Sequence, residues 1–320
     1  MTSPSTAAPA PAPLQLTARD WCLLVALSVL WGSSFFFAKI AVTEIPPLTL
    51  VALRVGIAGL ALQIVLIAQG HGSPVTDRRF PALFVLGVVN NVIPFSLLFW
   101  AQQTLPAGLA AIFNATTPIF TMMLATVFTA DDKATWLKIA GIGLGFSGVV
   151  LMLGTGLSAG ATGHLLAELA CLGAALSYGV SALIARRLAA APPVFLATGQ
   201  FTGATMVIVP LALIVDAPWT LPAPSLPAIG AVLALALASS AFGYLLYFAI
   251  IRSAGATNAS LVTYLVPMTA ILLGALFLGE RLGLFEYAGM VLIIGGVALA
   301  QGRLRRLRRT AATNPPGGTG

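Results

Sequence analysis

Long apolar stretches fill most of the chain, broken at short intervals by prolines, glycines and clustered charges. Crossing the hydrocarbon core of a bilayer takes about 20 mostly apolar residues. By that measure the pattern predicts ten spans, at roughly 21–42, 47–69, 81–102, 107–129, 135–154, 164–186, 193–215, 227–250, 255–278 and 284–302. The connections are short, and the longest polar one, at 70–80, reads GHGSPVTDRRF. Backbone groups inside lipid find no water, so spans of this kind form helices. The expected fold class is an all-α polytopic membrane protein of ten transmembrane helices.

Composition agrees. Hydrophobic residues make up 58% of the 320 and charged residues only 8%, against about a quarter charged in soluble domains. A soluble enzyme, a disordered chain and a nucleic-acid binder are poor fits. Cys22 and Cys171 both lie in apolar stretches, so no disulfide framework is implied. His71 and His164 stand apart, and no metal cluster or cofactor motif is evident. Residues 1–18, rich in Ala, Pro, Ser and Thr, read as a disordered tail without the basic start of a signal peptide.

The net charge of +7 is distributed by topology. With the N-terminus cytoplasmic, thirteen of the sixteen basic residues fall in cytoplasmic loops and tails. The positive-inside rule therefore puts both ends in the cytoplasm. The RLRRLRR run at 303–309 abuts the last span and reads as an anchor to anionic lipid.

Two halves of the chain can be laid on one another. Trp31-Gly32 with Lys39 matches Tyr178-Gly179 with Arg186, and Pro46-Pro47 matches Pro192-Pro193. Arg54 then falls opposite Gln200, and Phe80-Pro81-Ala82 opposite Leu226-Pro227-Ala228. Pro118, Phe128 and Asp131 match Pro267, Phe277 and Glu280, while Gly141 and Gly148 match Gly289 and Gly296. The order is kept at a nearly constant offset. Five spans per half, an odd number, would insert the second half upside down, an architecture common among transporters. The expected organisation is a cytoplasmic tail at 1–18, a first repeat at 19–154, an inverted second repeat at 155–302 and a basic tail at 303–320.

These residues resemble the EamA-type drug/metabolite transporters. The likeness rests on Trp31, Gly32 and Lys39, on Arg54 after its Pro-initiated start, on Pro118 and Pro267 with an acid beyond each, and on the closing GERLGLFEYAGMVLIIGGVAL. It spans about residues 20–302, with two departures: Asp131-Asp132 where a Gly-Glu pair is usual, and Tyr178 for a Trp. The resemblance implies ten helices in a bacterial inner membrane and export of small metabolites, often amino acids. It also implies a cavity enclosed by spans 1, 3, 4, 6, 8 and 9, with 2 and 7 beside it and 5 and 10 behind.

Polar residues inside a membrane are costly and face protein or a wet cavity. Helical spacing gathers them into stripes in the spans that the family assigns to the cavity. Candidate substrate contacts are Trp31, Ser34, Asn90, Asn91, Asn114, Tyr178, Ser181, Ser239, Ser240, Tyr244, Thr263 and Tyr264. Any of these hydroxyls and amides could instead bond its own helix or glue two helices together. Lys39 and Arg54, toward the outer ends of spans 1 and 2, could snorkel, pair with Glu44 or Glu168, or form an outer gate. Glu168 is the one carboxylate within a span, about four residues deep, and none sits at midspan. That demotes exchange of organic cations for protons, and any carboxylate-pair enzyme. The leading expectation is an alternating-access exporter of net-neutral metabolites, most readily amino acids, with a small solute and the lipid bilayer as partners. A passive channel and a membrane-embedded enzyme are the alternatives. Oligomeric state and driving force are open.

Overall fold

Helix starts follow the sequence's own punctuation. The computed structural model describes residues 16–129, 134–158, 162–188 and 190–302. The anticipated tails, the Asp131-Asp132 pair and the 303–309 run therefore lie wholly or mostly outside the described residues. The main helices are α1 (Ala18–Ala41), α2 (Pro47–Ala68), α3 (Phe80–Gln102), α4 (Ala107–Phe128), α5 (Trp136–Ser158), α6 (Thr162–Arg187), α7 (Pro193–Val215), α8 (Leu226–Ala254), α9 (Val262–Phe277) and α10 (Leu284–Ala300). The first eight are long and apolar enough to cross a membrane; α9 and α10 are apolar but shorter, at 16 and 17 residues. The ninth expected span is shortened because a turn at Ser260-Leu261 separates Ala256–Ala259 from α9.

The local chemistry explains the boundaries. At the head of α1 the Thr17 hydroxyl accepts from the Asp20 N–H while the Asp20 carboxylate accepts from the Thr17 N–H, a capping box. α2 and α7 both open on a proline, where a missing N–H costs nothing. Helix faces are apolar on both sides. On α2, Leu62 and Leu66 are fully buried while Leu60, Ile64 and Ile67 are each more than 60% exposed. A helix apolar all round belongs in hydrocarbon.

The packing repeats between the halves. α1 lies against α9 and α8; correspondingly α6 lies against α4 and α3. α2 packs on α7, α5 on α10, and α4 on α9. Exchanging the halves leaves this list of neighbours unchanged. Close approach makes the same point. A Cβ on Gly296 would stand 2.5 Å from the Gly141 carbonyl oxygen, and one on Gly148 would stand 2.7 Å from that of Gly289. These equivalent positions let α5 and α10 touch backbone to backbone.

Two helices carry π-helical stretches, Val88–Val92 in α3 and Ala234–Phe242 in α8. They begin at corresponding places in the two halves. Such stretches free backbone carbonyls, and neighbouring side chains use them. The Ser177 hydroxyl donates to the Val89 carbonyl at 2.6 Å, and the Trp31 indole N–H donates to the Ser239 carbonyl at 3.1 Å.

Candidate functional site

A cavity of about 390 Å³ lies between the halves. α1, α3, α4, α6, α8 and α9 line it, α2 and α7 add a few residues, and α5 and α10 add none. Among the anticipated contacts Trp31, Ser34, Asn90, Asn114, Tyr178, Ser181, Ser239, Tyr244 and Thr263 line this space.

A polar network crosses it. The Asn90 amide donates to Gln200 Oε1 and to the Tyr244 hydroxyl oxygen, each at 2.9 Å. The Ser181 hydroxyl donates to Asn90 Oδ1 at 2.7 Å. One side chain on α3 thereby ties α6, α7 and α8 together. Aromatic rings form the rest of the wall: Trp31 packs against Tyr247 and Tyr244 at 5.2 and 6.3 Å, and Phe95 against Tyr178 at 6.4 Å. Gly243 makes room for the indole, since a Cβ there would lie 2.7 Å from Trp31 Nε1.

Three anticipated contacts do not line the cavity. Asn91 follows Asn90 but points the other way, fully buried, with both amide atoms unpartnered among the described residues. The Ser240 hydroxyl is buried and taken up by Arg54. The Tyr264 hydroxyl turns toward α10 and donates to Gln301 Oε1 at 2.9 Å. Successive residues of a helix face differently, so a stripe read from sequence carries its edge residues to the wrong neighbour.

The charged positions require the larger correction. Among the described residues Arg54 does not pair with Glu44 or Glu168. It lies on the buried stripe of α2 with Val51, Val55 and Ala58 and is 6% exposed. Its Nε donates to Ser240 Oγ at 2.9 Å, and the guanidinium carbon stands 3.9 Å from the centre of the Phe95 ring. Arg54 also borders the cavity, so the space does contain a charge. Among the described residues no carboxylate comes within ion-pair distance of it; the one such pair is Arg79 with Asp77. Lys39 instead donates to the Gln102 and Leu105 carbonyls at 2.7 and 2.9 Å, capping the end of α3. Glu168 is buried away from the cavity, with its Oε2 unpartnered among the described residues.

Four of the described acids lie outside the cavity and serve helix starts. Asp216 accepts from the Thr49 N–H of α2, and Glu280 from the Ala107 and Gly108 N–H groups of α4. Glu44 accepts from the Ser225 N–H and hydroxyl ahead of α8, which hold its carboxyl below the usual range. Asp77 precedes α3, and the Arg79 guanidinium pulls its pKa down to about 2. Helix N-termini present unpaired donors and positive dipole ends, and a carboxylate answers both.

Gln102, Gln200, Phe99 and Tyr247 also line the cavity and were not among the anticipated contacts. Gln200 was visible as the repeat counterpart of Arg54. Arg54 itself was visible as the polar member of an otherwise apolar buried stripe. Among the described residues no cluster of His, Cys, Asp or Glu could hold a metal ion.

A bundle of apolar helices, built from two similarly packed halves around a central cavity, defines a membrane-embedded protein of the transporter class. The chain belongs to the EamA-like transporter family, whose pattern matches residues 20–154 and again residues 165–301. The "Uncharacterized inner membrane transporter YedA" of Escherichia coli strain K12 is 29% identical over 281 residues, covering 86% of this chain and 88% of that one. The "Uncharacterized transporter YvbV" of Bacillus subtilis strain 168 is 25% identical over 92% of this chain and 95% of its own. The "Probable terminal-alkyne amino-acid exporter" of Streptantibioticus cattleyicolor is 28% identical over 94% of this chain and 99% of its own. A crystal structure of another protein superposes with a TM-score of 0.64 at 21% identity, over 91% of this chain and 99% of that one, which shows a shared fold.

Proposed function

We propose that this chain is an alternating-access exporter of small metabolites, foremost neutral and aromatic amino acids, in a bacterial inner membrane. The observation that carries this reading is the cavity between the halves. At about 390 Å³ it falls within the range of roughly 300–1,000 Å³ found for small-molecule pockets. Its wall combines aromatic rings with amides and hydroxyls and, among the described residues, contains no carboxylate. Tyr and Trp offer an apolar face with a polar tip, which suits an amphipathic solute. The amino-acid exporter among the relatives supports the same substrate class.

In this reading ten helices cross the bilayer as two inverted five-helix repeats, with both termini cytoplasmic and the cavity near the midplane. The π-helical stretches and helix breaks beside the cavity are the elements that rearrange as access alternates. The exchange-invariant list of helix neighbours supports the two-repeat architecture.

The test is counterflow in proteoliposomes against amino acids, sugars and organic cations. Saturable exchange of labelled phenylalanine or another neutral amino acid is expected. Exchange of sugars or organic cations alone would refute the substrate class, and flux without counterflow would make the protein a channel. Topology is checked with single cysteines. Arg78→Cys and Arg187→Cys should react only from the cytoplasm, and Thr220→Cys only from outside.

A further inference from the structure

We propose that Arg54 anchors a carboxylate of the transported solute, so that the cavity selects monocarboxylates with an apolar or aromatic body. This rests on reading the cavity as the transport site.

Among the described residues, Arg54 is the one charged side chain that lines the cavity. It is buried without a carboxylate partner among the described residues. A buried charge without a counter-ion is strongly destabilising unless something compensates it. The Phe95 face and the Ser240 oxygen do part of this, by cation–π attraction and one hydrogen bond. They also fix the plane of the guanidinium. Only its Nε is engaged by a described protein group, so the two terminal nitrogens remain for a ligand. That is the fork a carboxylate meets with two parallel bonds.

A second intrahelical cation, Lys39, is occupied by two backbone carbonyls. A single free positive charge balances a monoanion, whereas a phosphate dianion would enter with one charge unmatched. The repeat counterpart of Arg54, Gln200, is neutral and already accepts from Asn90. The anion therefore has one end of the cavity to bind, and the rings of Trp31, Tyr178 and Tyr244 flank the rest. No lining carboxylate meets an ammonium group, so loss of the solute's carboxylate should matter more than loss of its amine.

The experiment measures binding and competition with matched probes: phenylalanine, phenylalaninamide (no carboxylate) and 3-phenyllactate (no ammonium). Each is tested for inhibition of counterflow and for thermal stabilisation of the purified protein. For the natural chain, 3-phenyllactate should compete within several-fold of phenylalanine, while the amide should be weaker by about 10- to 100-fold, the usual scale for a hydrogen-bonded charge. Arg54→Gln should raise the half-inhibitory concentration of both acids by about 10- to 100-fold and erase their advantage over the amide. Arg54→Lys should restore part of it. Ser240→Ala keeps the charge and should reduce the acid preference, which covers the case in which Arg54→Gln does not fold. An unchanged acid-over-amide preference in a folded Arg54→Gln or Ser240→Ala protein overturns the proposal. If the natural chain neither transports nor is stabilised by any amino acid, and none of the three probes binds, the cavity reading falls with it. Stabilisation by 3-phenyllactate without amino-acid exchange would uphold the Arg54 anchor and refute the amino-acid reading.

Discussion

The two halves share a frame and differ in chemistry. α2 and α7 both begin at a Pro-Pro pair and pack against each other, yet one brings Arg54 to the cavity and the other Gln200. α3 and α8 both carry π-helical stretches from matching positions, five residues long in one and nine in the other. Trp31 donates to a freed carbonyl on α8, whereas on α6 it is Ser177, the neighbour of the matching Tyr178, that does so on α3. Duplicated packing is retained because backbone contacts leave no slack. The side chains that face the cavity differ between the halves.

The comparison breaks most readily where the halves are most alike. Gly148→Ala and Gly296→Ala should each destabilise the protein by about 1–3 kcal/mol, since each new methyl meets backbone across the α5–α10 contact. Denaturant titration in detergent measures both; a loss confined to one of the two would end the symmetry argument there. Glu280→Ala should cost about 0.5–2 kcal/mol through the uncapped start of α4. Its sequence counterpart Asp131 lies outside the described residues, and an equal loss for Asp131→Ala would extend the correspondence to the other half.

Trp31 and Tyr178 sharpen the difference. Trp31→Phe should lose about 1 kcal/mol, because the Ser239 carbonyl is left without its indole donor. Tyr178→Phe should leave stability unchanged, as no described residue hydrogen-bonds its hydroxyl, which stands at the cavity. A change in transport with unchanged unfolding would assign that hydroxyl to the solute.

The smallest effect is expected at Asp77, whose pairing with Arg79 has no counterpart in the second half, where Ala223 and Ser225 stand at those positions. Its pKa is about 2, below the ordinary value near 4. The stability it contributes is therefore present above about pH 4 and lost as pH falls through about 2. Unfolding midpoints of the natural chain and Asp77→Asn should differ slightly at neutral pH and converge at pH 2.

Helix type, the repeat and the family were legible in the residues, because each depends on local or periodic properties. Apolar runs of span length can only be helical in lipid, prolines and capping residues mark the ends, and a near-constant offset reveals duplication. Nine of the twelve contacts read from polar stripes at helical spacing line the cavity as well. Tertiary structure alone decided the fate of Lys39, Arg54, Asp216 and Glu280. Lys39 and Arg54 look equivalent in sequence, each a cation near one end of an apolar span. One caps carbonyls at the end of α3 and the other lies buried against Phe95 at the cavity. Their partners come from segments far along the chain, Ser240 for Arg54 and the α3–α4 junction for Lys39. The same holds for Asp216 and Glu280, which serve the starts of helices more than 160 residues distant. For these four side chains, the group that compensates desolvation is set by which helices meet.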